Sequence, residues 1–174
     1  MVGRSTAKIQ IRDYRETDRS FVVSLSDETH HELRGMDPDR FPPAVVRDSS
    51  NWFERGLYES WARRSLFLLA QVGDEPAGFI LAGPTNDSWT PTPDEPRPPQ
   101  KIGEVYELHV AKAHRRKGVG SALLDASERE LARQGFAYVT LVHLAQNSVA
   151  AQLYAASGYR PRWVVQEKTL SPTL

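Results

Sequence analysis

The chain has 174 residues, and its 22 Lys and Arg residues balance its 22 Asp and Glu residues, so the formal net charge at pH 7 is zero. This length fits one ordinary domain, 1–174, and the balanced charge argues against nucleic-acid binding as the main task. Because cysteine is absent, disulfides, thiolate zinc sites and a cysteine nucleophile are excluded. No apolar run approaches the ~20 residues of a membrane helix, and the N-terminus lacks an apolar signal core. We therefore expect a cytoplasmic protein with no membrane partner.

The N-terminal part of the chain predicts one strand followed by two helices. Polar and apolar residues alternate over 8–12, which is the pattern of a short strand. Apolar residues at helical spacing follow from Phe21, with Thr17 or Asp18 as the cap. The apolar stripe of 51–63 predicts the second helix.

The middle of the chain predicts a hairpin and a long loop. The apolar runs 65–72 and 77–82 predict two strands, joined by the turn residues 73–76. The segment 84–101 holds six of the twelve prolines, so we expect a loop with partial polyproline character. Trp89 within this loop is a candidate for a substrate lid.

In the last third of the chain, predicted strands alternate with predicted helices. The hydrophobic patterns favour strands over 102–111, 136–144 and 162–169, and helices over 119–134 and 147–157. Alternation of this kind predicts a mixed sheet with helices on its faces.

The junction between 102–111 and 119–134 has the chemistry of a phosphate site. Arg115, Arg116 and Lys117 supply positive charge that can clamp a phosphate. Gly118 and Gly120 lack a Cβ, so a ligand can approach their backbone closely. The first N–H groups of the following helix are unpaired and lie at the positive end of its dipole. The junction therefore predicts a turn that binds a diphosphate.

Other interpretations of this junction fit the sequence less well. A dinucleotide-binding fingerprint needs a third small residue where Leu123 stands and an acidic residue where His143 and Leu144 stand. A nucleic-acid contact through the basic run predicts a steep salt dependence, but the neutral net charge opposes it. A basic run can also be a solvated helix entrance, although its position between a strand and a helix favours the ligand site.

The junction and its surroundings resemble the GNAT superfamily of N-acetyltransferases. The run RRKGVG at 115–120 looks like the superfamily signature R/Q-x-x-G-x-G/A, and LHV at 108–110 resembles its central strand. The segment 147–159 resembles the next motif of the superfamily. The resemblance implies a GNAT-like α/β (α+β) fold with a mixed, mostly antiparallel central sheet. This sheet would have about six to seven strands splayed at the middle, flanked by about four helices.

The resemblance also implies acetyl-coenzyme A (acetyl-CoA) as the co-substrate, without a metal. Backbone N–H groups of the turn would hold the pyrophosphate, and the preceding strand would pair with the pantetheine arm. The amide of Val110 would stabilise the tetrahedral oxyanion, an effect of up to ~3 kcal/mol. Asn147 would cap its helix and contact the coenzyme arm. The implied coenzyme-binding residues are Leu108, Val110, Arg115, Arg116, Lys117, Gly118, Val119, Gly120, Ser121 and Asn147.

For catalysis, the resemblance implies a tyrosine acid and a carboxylate or water-relayed base. Tyr154 matches the general acid that protonates the leaving thiolate, and a reference pKa near 10 keeps it protonated at neutral pH. Glu104 and Glu107 are the candidate bases; Glu107 lies nearer the thioester, but on the opposite strand face unless a bulge intervenes. His109 and His143 are weaker candidates, since a strand histidine is more often packed and hydrogen-bonded.

The implied reaction is acetyl transfer to a primary amine of a small molecule or peptide, by direct attack in a ternary complex. Charged residues in 30–61 lie where the acceptor would bind, and its acids could receive a cationic amine. An alternative is a non-catalytic regulatory module that binds acetyl-CoA or CoA in the same fold. Succinyl-CoA is a possible donor as well, and the superfamily's habit of pairing through late strands makes a homodimer a further expectation.

Overall fold

In the computed structural model, which describes residues 8–39, 65–85, 101–162 and 164–168, five strands form a single sheet. The strands are β1 (Ile9–Asp13), β2 (Leu66–Val72), β3 (Glu75–Pro84), β4 (Lys101–Val110) and β5 (Phe136–Leu141). The helices are α1 (Arg19–Met36), α2 (Val119–Arg133) and α3 (Ser148–Ala156). Each matches a predicted element; where both ends were predicted they differ by up to three residues, and α1, for which no end was predicted, runs to Met36.

The sheet is mixed, as predicted, and its strands lie side by side in chain order. The pairs β1/β2, β2/β3 and β3/β4 are antiparallel, while β4 and β5 are parallel. The helices cover both faces, since α1 packs Val22 and Leu25 against one face and α2 packs Leu123 and Leu124 against the other. Helices on both faces of the sheet are what the alternation of strands and helices predicts.

Two parts of the fold prediction need correction or lie outside the described residues. The predicted strand 162–169 is wrong, because 164–168 lie in no strand. Val164 and Val165 are 83% and 69% exposed; neighbouring residues of a strand point to opposite faces, so this pair cannot supply one apolar face. The predicted helix 51–63 lies outside the described residues. The described part therefore has five strands and three α-helices, fewer than the six to seven strands and four helices expected.

The strands β4 and β5 part from each other halfway along β4. Parallel pairing runs only from Lys101 opposite Phe136 to Val105 opposite Leu141. Beyond that point β4 continues to Val110 and stays paired with β3 alone. The second half of β4 thus has an edge without a partner strand in the described parts of the chain, as the expected splaying requires. None of the described helices is long and apolar enough to cross a membrane.

Candidate active site

The free edge of β4 carries backbone groups that can bind a ligand. Ala111 donates its N–H to the carbonyl of Ala77 at 2.9 Å, toward β3. Successive residues of an antiparallel strand direct their N–H and C=O groups to alternate edges. The backbone groups of Leu108 and Val110 therefore face away from β3, into the split between β4 and β5. These are the two strand residues that the sequence predicted for the coenzyme arm.

The turn after β4 leads directly from this edge into α2. Arg116 has φ 61° and Gly118 has φ 85°, so the backbone is left-handed at both residues. Gly118 is the N-cap of α2, and this φ is one that glycine adopts without strain. The helix starts with N–H groups that have no partner within the helix, at the positive end of its dipole. The predicted turn is therefore a concave backbone surface suited to an anion.

Gly120 is packed too closely for a side chain. A Cβ built on it would lie 3.0 Å from Cδ2 of Leu153 in α3 and 3.7 Å from Cγ2 of Val110 in β4. The first turn of α2, the free edge of β4 and α3 thus meet at one point. The neighbouring predicted residues are Val119, which is buried, and Ser121, which is half-buried.

The three basic residues of the turn differ in what they contact. Arg115 donates a hydrogen bond from Nε to the Val110 carbonyl at 2.9 Å. Its two terminal nitrogens donate to the Glu32 carboxylate, at 3.2 and 2.9 Å. Arg116 is exposed, with Nη1 3.5 Å from Oε1 of Gln152, and Lys117 is exposed as well. The Arg115 side chain is thus directed at protein groups, whereas Arg116 and Lys117 extend toward solvent.

Glu32 of α1 is a residue of this region whose contacts sequence reasoning missed. Besides Arg115, it lies 3.2 Å from Nζ of Lys112. Partial burial acts to raise its pKa, but hydrogen bonds from Arg115 and Lys112 outweigh that effect and lower it. A carboxylate engaged in this way is poorly placed to receive a cationic amine. Only its acidic character was visible in the sequence.

Tyr154 lies in α3, at the side of the split. Its ring centroid is 5.6 Å from that of His143 and 5.9 Å from that of Tyr159. Burial raises the pKa of the Tyr154 phenol above 10.0, and the negative charge of Glu107 raises it further. The hydroxyl is therefore neutral at physiological pH and able to donate a proton. The predicted cap of α3 is confirmed, because Oδ1 of Asn147 accepts a hydrogen bond from the Ala150 N–H at 3.0 Å.

A β-bulge decides which face of β4 carries the two glutamates. Leu81 of β3 lies opposite Glu107 and Ala82 lies opposite Val105, so Tyr106 is the extra residue. Since one extra residue reverses the alternation of faces, Glu107 lies on the same face as Glu104. The condition attached to the sequence prediction, an intervening bulge, is therefore met.

The two glutamates have different surroundings on that face. Glu104 accepts a hydrogen bond from Oγ1 of Thr85 at 3.2 Å. Glu107 lies with Oε2 at 2.5 Å from Nε2 of His109 and is close enough to Tyr154 to affect its pKa. The charge of Glu107 thus acts on the Tyr154 phenol, while Glu104 lies further back, where β4 and β5 are still paired. Within the described ranges, no group of three or more acidic or histidine side chains could hold a metal ion.

Comparisons with known proteins agree with this geometry. The model of the acetyltransferase (GNAT) family matches residues 24–159. Mycothiol acetyltransferase from Geodermatophilus obscurus is 32% identical over 152 residues, which are 74% of this chain and 49% of that protein. Mycothiol acetyltransferase from Renibacterium salmoninarum is 36% identical over 101 residues, 55% of this chain and 30% of that protein. The chain thus spans half or less of the length of these relatives.

A solved structure shows the same fold. The GCN5-related N-acetyltransferase from Ralstonia eutropha superposes with a TM-score of 0.68 at 22% identity, covering 93% of this chain and 99% of that one. At this level of identity the likeness concerns the fold.

Proposed function

Since the chain belongs to the acetyltransferase (GNAT) family, we propose that it transfers an acetyl group from acetyl-CoA to a primary amine of a small molecule or peptide. Attack is direct, in a ternary complex. The observation that carries the proposal is the free edge of β4 at Leu108 and Val110, which is followed, after a short 3₁₀ helix at Lys112–His114, by the glycine turn at the start of α2.

The donor lies along this edge and turn. Backbone N–H groups of 116–121 hold the pyrophosphate, with Arg116 and Lys117 adding charge from the solvent side. The pantetheine arm pairs with Leu108 and Val110, and the Val110 amide faces the thioester oxygen. The hydrogen bond from Arg115 to the Val110 carbonyl supports this arrangement, because it holds Val110 in place through its carbonyl, while the Val110 N–H faces the thioester.

The reaction needs one base and one acid. Glu107 accepts the proton of the attacking amine, and Tyr154 protonates the leaving thiolate. Glu107 is preferred to Glu104 because it lies beyond Val105, where β4 no longer pairs with β5, and because its charge acts on the Tyr154 hydroxyl. The curated relatives are named mycothiol acetyltransferases, so small-molecule amines are the first acceptors to test.

The test is a thiol-release assay with acetyl-CoA and a panel of primary amines. We expect turnover with at least one amine, and a fall in kcat of roughly 100-fold or more for Tyr154→Phe, which removes the proton of the acid. Tyr159→Phe is the matched control, because Tyr159 also lies in this region but donates its hydroxyl to Glu128 at 2.8 Å.

Two results would contradict the proposal. Binding of acetyl-CoA without turnover on any amine would favour the regulatory module instead. Equal activity of Tyr154→Phe and Tyr159→Phe would remove Tyr154 from the reaction.

A further inference from the structure

His109 is the most enclosed polar residue on the face of β4 that carries Glu107. It is 3% exposed, and its ring stacks on Phe79 of β3 with centroids 4.6 Å apart and planes 11° from parallel. The ring of His30 from α1 meets it edge-on at 6.5 Å. The imidazole is therefore held in one orientation by packing on both sides, which a residue that merely fills space does not require.

This orientation aims one ring nitrogen at the candidate base. Nε2 of His109 lies 2.5 Å from Oε2 of Glu107, and the Glu107 side chain is 23% exposed. Nδ1 of His109 has no hydrogen-bond partner among the described residues. The proton of a neutral imidazole therefore belongs on Nε2, where a carboxylate can accept it. One oxygen of Glu107 is held from the interior, while the carboxylate remains open toward the split.

We propose that His109 is a positioning residue that fixes the Glu107 carboxylate as general base through the Nε2–H hydrogen bond. The inference rests on the proposed function. It adds a buried residue whose role in the reaction is to orient the base.

The proton balance of the step is complete without further reagents. The lone pair of the neutral amine nitrogen forms the new N–C bond, and its proton passes to Glu107. The thioester C–S bond breaks with its electron pair on sulfur, which takes the proton of Tyr154. After the products leave, water carries the proton from Glu107 back to Tyr154. Throughout, His109 keeps its Nε2 proton.

Among the residues that the structure describes, few charged or titratable groups lie around His109. β4 contributes Glu107, α1 contributes His30 with Asp27 and His31 near it, and α3 contributes Tyr154 beside Glu107. The residue from β3, Phe79, does not titrate. Burial lowers the pKa of His30, although the charge of Glu107 opposes this. An imidazolium at His30 is therefore disfavoured at neutral pH, and the Glu107 carboxylate is the charged group in contact with His109.

The experiment compares His109→Phe with His109→Gln. Phenylalanine can keep the stack on Phe79 but donates no hydrogen bond, whereas the glutamine amide can donate to Glu107. We expect His109→Phe to lower kcat roughly 10- to 100-fold, a part of what a positioned base contributes. His109→Gln restores most of the lost activity, because its amide can again donate to the Glu107 carboxylate. His31→Phe, at an exposed histidine of α1, controls for the loss of an imidazole.

A double variant separates positioning from general destabilisation. If His109 acts through Glu107, His109→Phe has little further effect on kcat in a Glu107→Gln background. An equally large loss in both backgrounds, or a failure of His109→Gln to restore kcat, would overturn the inference. Should His109→Phe not fold, the ¹⁵N shifts of the imidazole decide, since Glu107→Gln must change the Nε2 signal of His109. If the wild type acetylates no amine, it is the proposed function that fails, while the ¹⁵N result still reports on the pair.

Discussion

The two sides of the split in the sheet use their polar groups differently. On the side of the turn and α2, the groups that face the ligand space belong to the backbone: the free edge at Leu108 and Val110 and the first N–H groups of α2. On the side of α1, the polar groups are side chains that largely contact one another, as Glu32 does with Arg115 and Lys112.

This difference explains why a short motif describes one side and not the other. Backbone groups are presented by a conformation, and two glycines at the right spacing select that conformation whatever the other residues are. Side-chain sites depend on the identity and packing of residues from several elements. If this comparison holds, changes to the turn should affect the donor, and changes around α1 should affect stability or the acceptor.

The largest expected effect comes from filling the space at Gly120. In Gly120→Leu, the added Cβ would lie 3.0 Å from Cδ2 of Leu153, so the Leu153 side chain must give way, and the rest of the new side chain needs further space beside the free edge of β4. We expect the KM for acetyl-CoA to rise roughly tenfold or more, since a displacement of about 1 Å can cost as much as 100-fold. The KM for the amine should change far less. Initial rates with each substrate varied in turn measure both constants.

Gly35→Leu is the control for this substitution. Gly35 lies in α1, and a Cβ added there would have no atom of the described residues within 4 Å. Equal increases of both KM values in Gly120→Leu would contradict the assignment of the pyrophosphate to this turn.

A smaller effect on the KM for the donor is expected from a substitution at Arg115. It tests whether Arg115 links α1 to the free edge of β4. If Arg115 holds Val110 in place and does not bind phosphate, Arg115→Gln should raise the KM for the donor about three- to tenfold, an estimate from one lost charge-assisted hydrogen bond. The same factor should appear with S-acetylpantetheine, which has no pyrophosphate. Arg116→Gln, which removes an exposed guanidinium, should weaken acetyl-CoA only.

The pair of donors makes the outcome unambiguous. An effect of Arg115→Gln that vanishes with S-acetylpantetheine would identify Arg115 as a phosphate ligand, as the sequence had suggested. An effect that persists, and that is not additive with Glu32→Gln, would confirm the link from α1 to the free edge of β4.

How much of this site the sequence predicted depends on how far apart in the chain the interacting residues lie. The strand, turn and helix at 101–133 were predicted because hydrophobic period and glycine position are local signals. The bulge at Tyr106 depends on the register between β3 and β4, which hydrophobic pattern alone leaves open. The pair Glu32–Arg115 joins residues 83 positions apart, and nothing local in either segment indicates it. The predicted strand 162–169 failed because consecutive valines resemble a buried strand without having a surface to cover.

The smallest effect on activity, and a clear one on stability, is expected at the start of α1. Asp18 accepts hydrogen bonds from both terminal nitrogens of Arg12, at 2.7 and 2.8 Å, and from the N–H of Arg15 at 2.8 Å. These contacts fasten α1 to β1 at a point where the Asp18 side chain is 9% exposed. The hydrogen bond from Arg12 is the main reason why the pKa of Asp18 lies below its usual value of 3.8. Because the folded-state pKa is the lower one, the ion pair stabilises the fold fully above the unfolded-state pKa, and this contribution is lost as the pH falls through the folded-state value.

Asp18→Asn should therefore reduce the free energy of unfolding at pH 7 by about 1–3 kcal/mol, the range for a hydrogen bond to a charged group. Urea unfolding at pH 7 and at about pH 3 measures it, and the difference between wild type and variant should shrink at the lower pH as Asp18 takes up a proton in the wild type. Both KM values should stay within about twofold of wild type. Asp18 and its partners lie away from the split, so the substitution changes stability without changing the donor site. A difference in stability that is the same at both pH values would mean that packing, and not the charge of Asp18, holds α1 on the sheet.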